Sequence, residues 1–442
     1  MSAAPRGILV TGAAEVATLA GGLRRGGAQD DPAIAPPGTA VACLGGLIVA
    51  VAAEPEARDA VATALETIGA SPDAYDVVDA TGCTVTPGFV DPHTHLLFGG
   101  TREAEVGLRQ RGASYLEILA AGGGILSTVA ATRAASDAEL LAHGRRWLGE
   151  MVRHGATTVE AKSGYGLDTA TELRLLAIAG RLAAEGPVDV IPTFLGAHAV
   201  PPEVRAAYPD ATAATEAYVG TVIGEQLPAV AAQGVARSVD VFCEAGVFSP
   251  DQARRILQAA RDLGLDVRLH ADEMAPSGAA ELAAELGALS ADHLGSPSPA
   301  GIAALAAAAG RARPVVAVLL PTVPWFLGQE LREPARELIA AGVPVAIGTD
   351  FNPGTSPVPS LPLAMSVAML RLGLTPAEVL VAATVNAAAA LGLADRGSLE
   401  PGRRADIVVW DVPTHAQLPY WAGADLARVV IAGGKQVLVR TR

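Results

Sequence analysis

Residues 238–273 read SVDVFCEAGVFSPDQARRILQAARDLGLDVRLHADE, and they decide the fold. The stretch opens on the apolar, β-branched run SVDVFC and passes through a Ser-Pro helix start at 249–250. It then continues as PDQARRILQAARDLG and ends in a second run, DVRLHADE. Strand, helix, strand in that order is a βα unit. The same alternation extends outward in both directions. Apolar runs recur in VTPGFVDPHTHLLF (85–98), ATTVEAKSGYG (156–166), DVIPTFLGAHAV (189–200), ALSADHL (288–294), PVVAVLLPT (314–322) and PVAIGTDFN (344–352), which makes eight with the two above. Alanine- and leucine-rich stretches such as TATELRLLAIAGRLAAEG, PSGAAELAAELG and EPARELIAAG separate them. The pattern predicts an α/β fold, a parallel (β/α)8 TIM-type barrel with its site at the carboxyl ends of the strands.

The flanks have a different texture. From about residue 40 to 87 and from about 397 to 442, short β-type runs such as GGLIVAVA, DATGCTVTPG, ADIVVWD and ARVVIAGGKQVLV are broken by glycine and proline. The division expected is residues 1–87 as the N-terminal part of a small β-sandwich domain, 88–392 as the barrel, and 393–442 as the C-terminal part of the sandwich. Charged residues interrupt every apolar run short of the ~18 residues a membrane span needs. MSAAPRGILVTGAAEV lacks the basic flank and continuous apolar core of a secretory signal, so a soluble, cytoplasmic protein is expected. A formal net charge of −14 argues against nucleic acid and anionic membrane as partners. Cys43, Cys83 and Cys243 are too few and too scattered for a disulfide framework or a CxxC metal site.

The chemistry is announced by where the histidines fall. Of eight in the chain, His93, His95, His198, His270 and His293 all sit at the ends of proposed strands. In PHTH, His93 and His95 are two apart, so on a strand both imidazoles face the same side. Any one histidine alone is more often a hydrogen-bonded core or loop residue than a ligand. The weight comes from His270 in LHADE and Asp350 in GTDFN, which end the fifth and eighth runs and can converge with the pair on one axis. Imidazole and carboxylate together suit Zn2+ or iron.

In this order PGFVDPHTH, LHADE, SADHL and IGTDFNPG resemble the amidohydrolase superfamily, over nearly the whole chain. In that superfamily a first-strand HxH, a fifth-strand His and an eighth-strand Asp hold the catalytic metal, and binuclear members add a carboxylated lysine at the fourth strand. Here the fourth run ends in VFCEAG without that lysine, and Lys162 falls after the second run, where a structural or electrostatic role is expected; a mononuclear site follows. GGTREAE, RQRGASYLEILAAGGGI, EAKSGYGLD, PTFLGAHAVPPE and TDFNPGTSP are similar to the imidazolonepropionase family in particular. That resemblance implies His93, His95, His270 and Asp350 as ligands of one Zn2+ or Fe2+/Fe3+ ion per chain. It further implies substrate contacts from Arg102, Tyr165, His198, Glu273, Asn352, Gly354 and Thr355, with Glu273, His293 and Asp350 at the reacting bond. Each has a plainer reading: surface ion pairs for Arg102 and Glu273, loop packing for Tyr165, turn formation for Asn352, Gly354 and Thr355, a strand cap for His293. Glu160 and Glu244 are plausible electrostatic supports without an assigned role.

The activity implied is hydrolytic ring opening of 4-imidazolone-5-propanoate to N-formimino-L-glutamate, in histidine degradation. A bound ion would lower the pKa of its water from about 15.7 towards about 7. Glu273 would shuttle the proton and His293 stabilise charge on the carbonyl oxygen; whether Glu273 or Asp350 takes the first proton stays open. The anionic substrate needs a cation, and Arg102 is the expected bidentate partner of its propionate. A homodimer is expected. The rival readings are a guanine or cytosine deaminase-like aminohydrolase and a catalytically silent dihydropyrimidinase-like scaffold.

Overall fold

The computed structural model describes residues 6–112, 117 and 123–440. Eight parallel strands form one sheet in chain order: β1 (Phe89–Asp91), β2 (Ala156–Lys162), β3 (Asp189–Ala197), β4 (Ser238–Cys243), β5 (Asp266–Ala271), β6 (Ser290–His293), β7 (Val316–Leu319) and β8 (Val345–Ile347). Each lies within one of the runs read as strand from sequence. The register sets Phe242 beside His270 and His270 beside Asp292. Between β4 and β5 the helix Pro250–Asp262 forms because Ser249 and Gln252 cap each other reciprocally and proline opens the first turn. Its buried residues Ala253, Ile256, Leu257 and Ala260 recur at helical spacing and face the barrel.

β1 and β8 meet differently from the other neighbours. Their contact lies just beyond the strand ends, where the Asp350 N–H donates to the His93 carbonyl at 3.0 Å and the His95 N–H donates to the Phe351 carbonyl at 2.9 Å. One step below, the Asp91 carboxylate accepts the Thr349 N–H and hydroxyl at 3.1 and 2.6 Å. A few bonds made largely by the HTH and TDF segments thus draw the sheet into a barrel.

Both chain ends build a small second layer. A four-stranded sheet contains Gly7–Thr11, Thr39–Leu44, Leu47–Ala53 and Tyr75–Asp79, and a five-stranded sheet joins Glu15–Val16 and Thr84–Pro87 to Ile407–Trp410, Ala427–Ala432 and Lys435–Val439. Ile8, Val10, Val41, Val85, Ile407, Val409 and Ile431 form one buried cluster shared by the two sheets. The β-only reading of residues 40–87 needs a correction, because Glu54–Thr67 is a helix. Pro55 and two glutamates mark its first turn, and Ala57, Val61 and Leu65, each four apart, pack with Leu9, Ala40 and Ala42 of the four-stranded sheet. Part of the N-terminal segment also grips the barrel itself. The Gln29 amide bonds both backbone groups of Val345 on β8, at 3.0 and 3.4 Å, and the Arg24 N–H donates to Asn386 at 2.8 Å. Among the described residues no helix is long and apolar enough to cross a membrane.

Trp410 couples the small domain to the barrel. It is fully buried, its ring lies 4.8 Å from that of Phe89 at the start of β1, and its indole N–H donates to Thr86 Oγ1 at 2.8 Å. Gly155, just before β2, has φ +83°, and a Cβ there would stand 2.2 Å from the Trp410 ring. We predict that Gly155→Ala lowers the unfolding free energy by roughly 1–3 kcal/mol or more, through backbone strain and overpacking together. Urea denaturation checks this, and an unchanged midpoint would remove Gly155 from the joint.

Candidate metal centre

Three strand ends bring the expected ligands together. His93 Nε2 and His95 Nε2 each lie 3.3 Å from Asp350 Oδ1, and His270 Nε2 lies 3.4 Å from His95 Nε2. All four side chains are buried, and His93 Nε2 and Asp350 Oδ1 have no hydrogen-bond partner. Buried polar atoms are normally satisfied, so such orphans ask for a further partner, a role a cation fills. Donor atoms that share one ion at about 2.0–2.2 Å stand roughly 3–4 Å apart, and the three pairs above meet that spacing. The set fits a divalent ion. Burial, reinforced by the Lys162 charge, holds the His93 imidazole well below its usual range, so it is neutral and able to act as a ligand.

His198 and His293 stand beside this set. The His198 ring stacks on that of His95 at 5.0 Å, and its Nδ1 lies 2.9 Å from the Gly164 carbonyl, which places the proton on Nδ1 and leaves Nε2 as the free acceptor. The His293 ring is 5.1 Å from that of His270. His293 and Asp350 both hold positive φ, +74° and +49°, a conformation that costs energy outside glycine and concentrates at functional sites.

Charged residues that were given no ligand or catalytic role lie directly beneath. Asp292 Oδ2 lies 2.7 Å from His93 Nδ1, and Asp240 Oδ2 lies 3.0 Å from His270 Nδ1. Lys162 Nζ contacts Glu160 at 2.8 Å and Asp240 at 2.7 Å, while Arg268 contacts Glu160 and Asp292 at 3.1 Å each. All five side chains are wholly buried. The signal in the sequence is an ionisable residue inside an apolar strand, as in VDVF, VRLH, VEAK and SADH. Glu160 with Lys162, and Arg268 with His270, are two apart and so share the inward face. Lys162, expected after the second strand, is instead the last residue of β2 itself and belongs to this cluster.

Glu273 sits on the loop after β5, 3.7 Å from the His293 ring nitrogen, and burial together with the Asp350 charge pushes its carboxyl up to about 7. The loop is fixed by its neighbours. Asp272 accepts the N–H groups of Ser277, Ala279 and Ala280 at 2.8 to 3.2 Å, and Glu244 accepts the Met274 N–H at 2.9 Å. Glu244 therefore holds the Glu273 loop in place. Gly295 lies so close that a Cβ would come within 2.4 Å of the Glu273 carbonyl. Tyr165 is presented by a loop whose Gly164, Gly166 and Leu167 N–H groups all point at the buried Glu172 carboxylate, at 2.8 to 3.2 Å.

Arg102 differs from the free fork expected. Its Nε and Nη2 already pair with Glu105 at 3.0 and 2.9 Å, and Glu105 also accepts the Gly124 N–H at 2.7 Å. The remaining face of the guanidinium lies against Gly354, where a Cβ would fall 2.0 Å from Arg102 Nη1. Gly354 is thus the space that lets Arg102 reach the mouth. Asn352 uses its oxygen on the Gly354 and Thr355 N–H groups, both at 2.8 Å, and its amide nitrogen on Asp350 and Thr355. It forms the turn and steadies Asp350. The middle of RQRGASYLEILAAGGGI, residues 113–116 and 118–122, lies outside the described residues. Beside Glu273 and His293 a cleft of about 420 Å3 opens towards Leu320, Val323, Arg332 and Glu333.

The chain matches the model of the amidohydrolase family over residues 84–437. It is 48% identical over 436 residues to an imidazolonepropionase of Symbiobacterium thermophilum, covering 98% of each chain. With an imidazolonepropionase of Geobacillus kaustophilus it shares 52% identity over 364 residues, covering 82% of this chain and 83% of the relative. Among solved structures it superposes on a zinc-bound adenosine deaminase from Xanthomonas campestris with TM-score 0.65, at 22% identity, covering 98% of this chain and 93% of that one. An atrazine chlorohydrolase from Arthrobacter aurescens TC1 complexed with zinc gives TM-score 0.66 at 19% identity, covering 98% and 95%. At such identities these two speak to the fold alone. By its motifs, its barrel and its relatives, the chain belongs to the amidohydrolase family, in the branch of the imidazolonepropionases.

Proposed function

We propose that the chain is a hydrolase of a cyclic amide C–N bond that opens the ring of 4-imidazolone-5-propanoate to N-formimino-L-glutamate. The observation that carries the reading is the convergence of His93, His95, His270 and Asp350, with Glu273 and His293 beside them, in a chain about half identical to imidazolonepropionases. One ion per chain is held by those four donors, and three imidazoles with one carboxylate suit zinc or iron. When bound, it polarises the carbonyl and makes a water nucleophilic near neutral pH.

The protein supplies the rest. Glu273 takes a proton from the attacking water as the C–O bond forms, and returns it to the ring nitrogen as the C–N bond breaks. A carboxyl held near 7 suits both duties. Burial holds the His293 imidazole down near 3, so at neutral pH it offers an uncharged N–H to the carbonyl oxygen where negative charge develops. Tyr165 and His198 wall the ring. Arg102, through Nη1, and Thr355 receive the propionate, and the Glu105 pair keeps the guanidinium from swinging away.

Product analysis tests the whole reading: the substrate ring opens without release of ammonia, whereas a deaminase would release it. His270→Ala is predicted to lose bound metal and turnover together, since one of few donors is gone; elemental analysis showing full occupancy would remove His270 from the ligand set. Glu273→Gln should keep the metal and lose about 10²–10⁴ in kcat, because an amide holds the shape but moves no proton. In the parent enzyme Glu273 must be ionised to act as base, so kcat/KM falls as pH drops through its pKa. That limb should lie at or below about 7, since a bound cation draws a carboxyl back down. A profile flat to pH 5 would move the base role elsewhere. Arg102→Met should cut kcat/KM roughly ten- to a hundredfold for the propionate substrate and leave a ring analogue without the carboxylate almost untouched. Equal losses for both would make Arg102 a shaper of the site rather than a reader of the substrate.

A further inference from the structure

We propose that Lys162 is a positioning residue of the metal centre, acting on ligand His270 through Asp240; this rests on the ligand assignment above. Lys162 ends β2 with its side chain fully buried, and its Nζ reaches Asp240 Oδ2 on β4 at 2.7 Å. Asp240 in turn grips His270 twice, Oδ2 at 3.0 Å from the ring Nδ1 and Oδ1 accepting the backbone N–H at 3.0 Å. His270 is thereby held through its backbone N–H and by the ion-pair contact at ring Nδ1, with Nε2 turned towards His95 Nε2. Groups behind a ligating histidine set its orientation and tautomer.

What makes Lys162 necessary is the cost of burying Asp240. A carboxylate out of water needs a charged partner in good geometry. Among the described residues, Lys162 is the one lysine or arginine in direct contact with Asp240, because Arg268 spends its contacts on Glu160, Asp292 and the Pro92 carbonyl. Glu160 fixes Lys162 from the other side at 2.8 Å and is itself held by the Thr193 hydroxyl at 2.6 Å. Lys162, Asp240 and His270 form a strut across three neighbouring inward-facing positions, on β2, β4 and β5. With a neutral side chain at 162, Asp240 keeps the histidine as its sole direct ionic partner and can turn, and the ring loses its fixed direction.

The experiment separates positioning from simple charge by sign. Glu160, Asp240 and Asp292 outnumber Lys162 and Arg268 by one, so the cluster is net negative beneath the centre. By Coulomb's law alone, Lys162→Met would make the site more negative and tighten cation binding. By positioning, it weakens it. Metal-free protein is titrated with Co2+ against a competing chelator, and the visible d–d spectrum is recorded. Lys162→Met is expected to bind Co2+ about tenfold more weakly or worse, with a changed spectrum and a smaller gain in Tm on adding the ion. Binding as tight as the parent or tighter, with the same spectrum, overturns the proposal. Lys162→Gln removes the same charge and gives the same test by sign should Lys162→Met fail to fold, with parental or tighter affinity and the parental spectrum again overturning it. If the parent itself binds no Co2+, the ligand assignment falls and the proposal with it.

Discussion

Five charged side chains sealed inside a barrel are the constraint on which the rest of this structure depends. Glu160, Lys162, Asp240, Arg268 and Asp292 are out of reach of water, where an unpaired charge is untenable. Each must therefore be met by an opposite charge or donor at close range, and the register of β2, β4, β5 and β6 is what delivers those partners. A shift of one residue in any of these strands would turn its charges onto the outer, apolar face. Directly above lie His93 and His270, whose ring nitrogens take the upper contacts of Asp292 and Asp240. The candidate metal centre is the top of a charge column that also fixes strand register.

The contrast between this column and the rim matches a division of labour. The proposed ligands stand on or within a few residues of strand ends, and His93 and His270 are held from below. The groups proposed to meet substrate and move protons, Glu273, Tyr165 and Arg102, sit on loops held by dedicated carboxylates: Glu244 and Asp272 for the Glu273 loop, Glu172 for the Tyr165 loop, Glu105 for Arg102. These acids touch no reacting atom in the proposed mechanism, yet they set where the reacting groups stand. Chemistry can be varied at such a rim while the column stays as it is.

How much of this is legible in the sequence follows from the range of each interaction. The eight strands can be read because a buried parallel strand leaves an apolar run and its helix leaves capping signals, both local. The proposed ligand quartet can be read because histidine is scarce in this chain and falls at strand ends. The pairing of Lys162 with Asp240 cannot, since Asp240 is 78 positions away and only the closed barrel brings the two together. Arg102 was open to a better reading, because Glu105 three residues later on a helical start is a ready ion-pair partner. The helix Glu54–Thr67 was hidden by its setting among glycine-rich strand segments, although its own composition is helical. Asn352 shows the limit of a motif: NPGT signals a turn and a site equally, and only the bonds to Asp350 show how the one serves the other.

The seam between β1 and β8 also sets an order in time. Thr349 and Asp91, which meet there, are 258 positions apart, and contacts across so long a stretch of chain carry the largest loop-closure cost. During synthesis His93, His95 and His270 leave the ribosome well before Asp350 does. The residue that adds the last, anionic donor is the one whose backbone N–H shuts the barrel on the His93 carbonyl. A nascent or prematurely ended chain therefore carries a trio of histidines without the carboxylate, and the full donor set first exists on the finished fold. The proposed donor set is thus complete only once Asp350 has closed the barrel against His93.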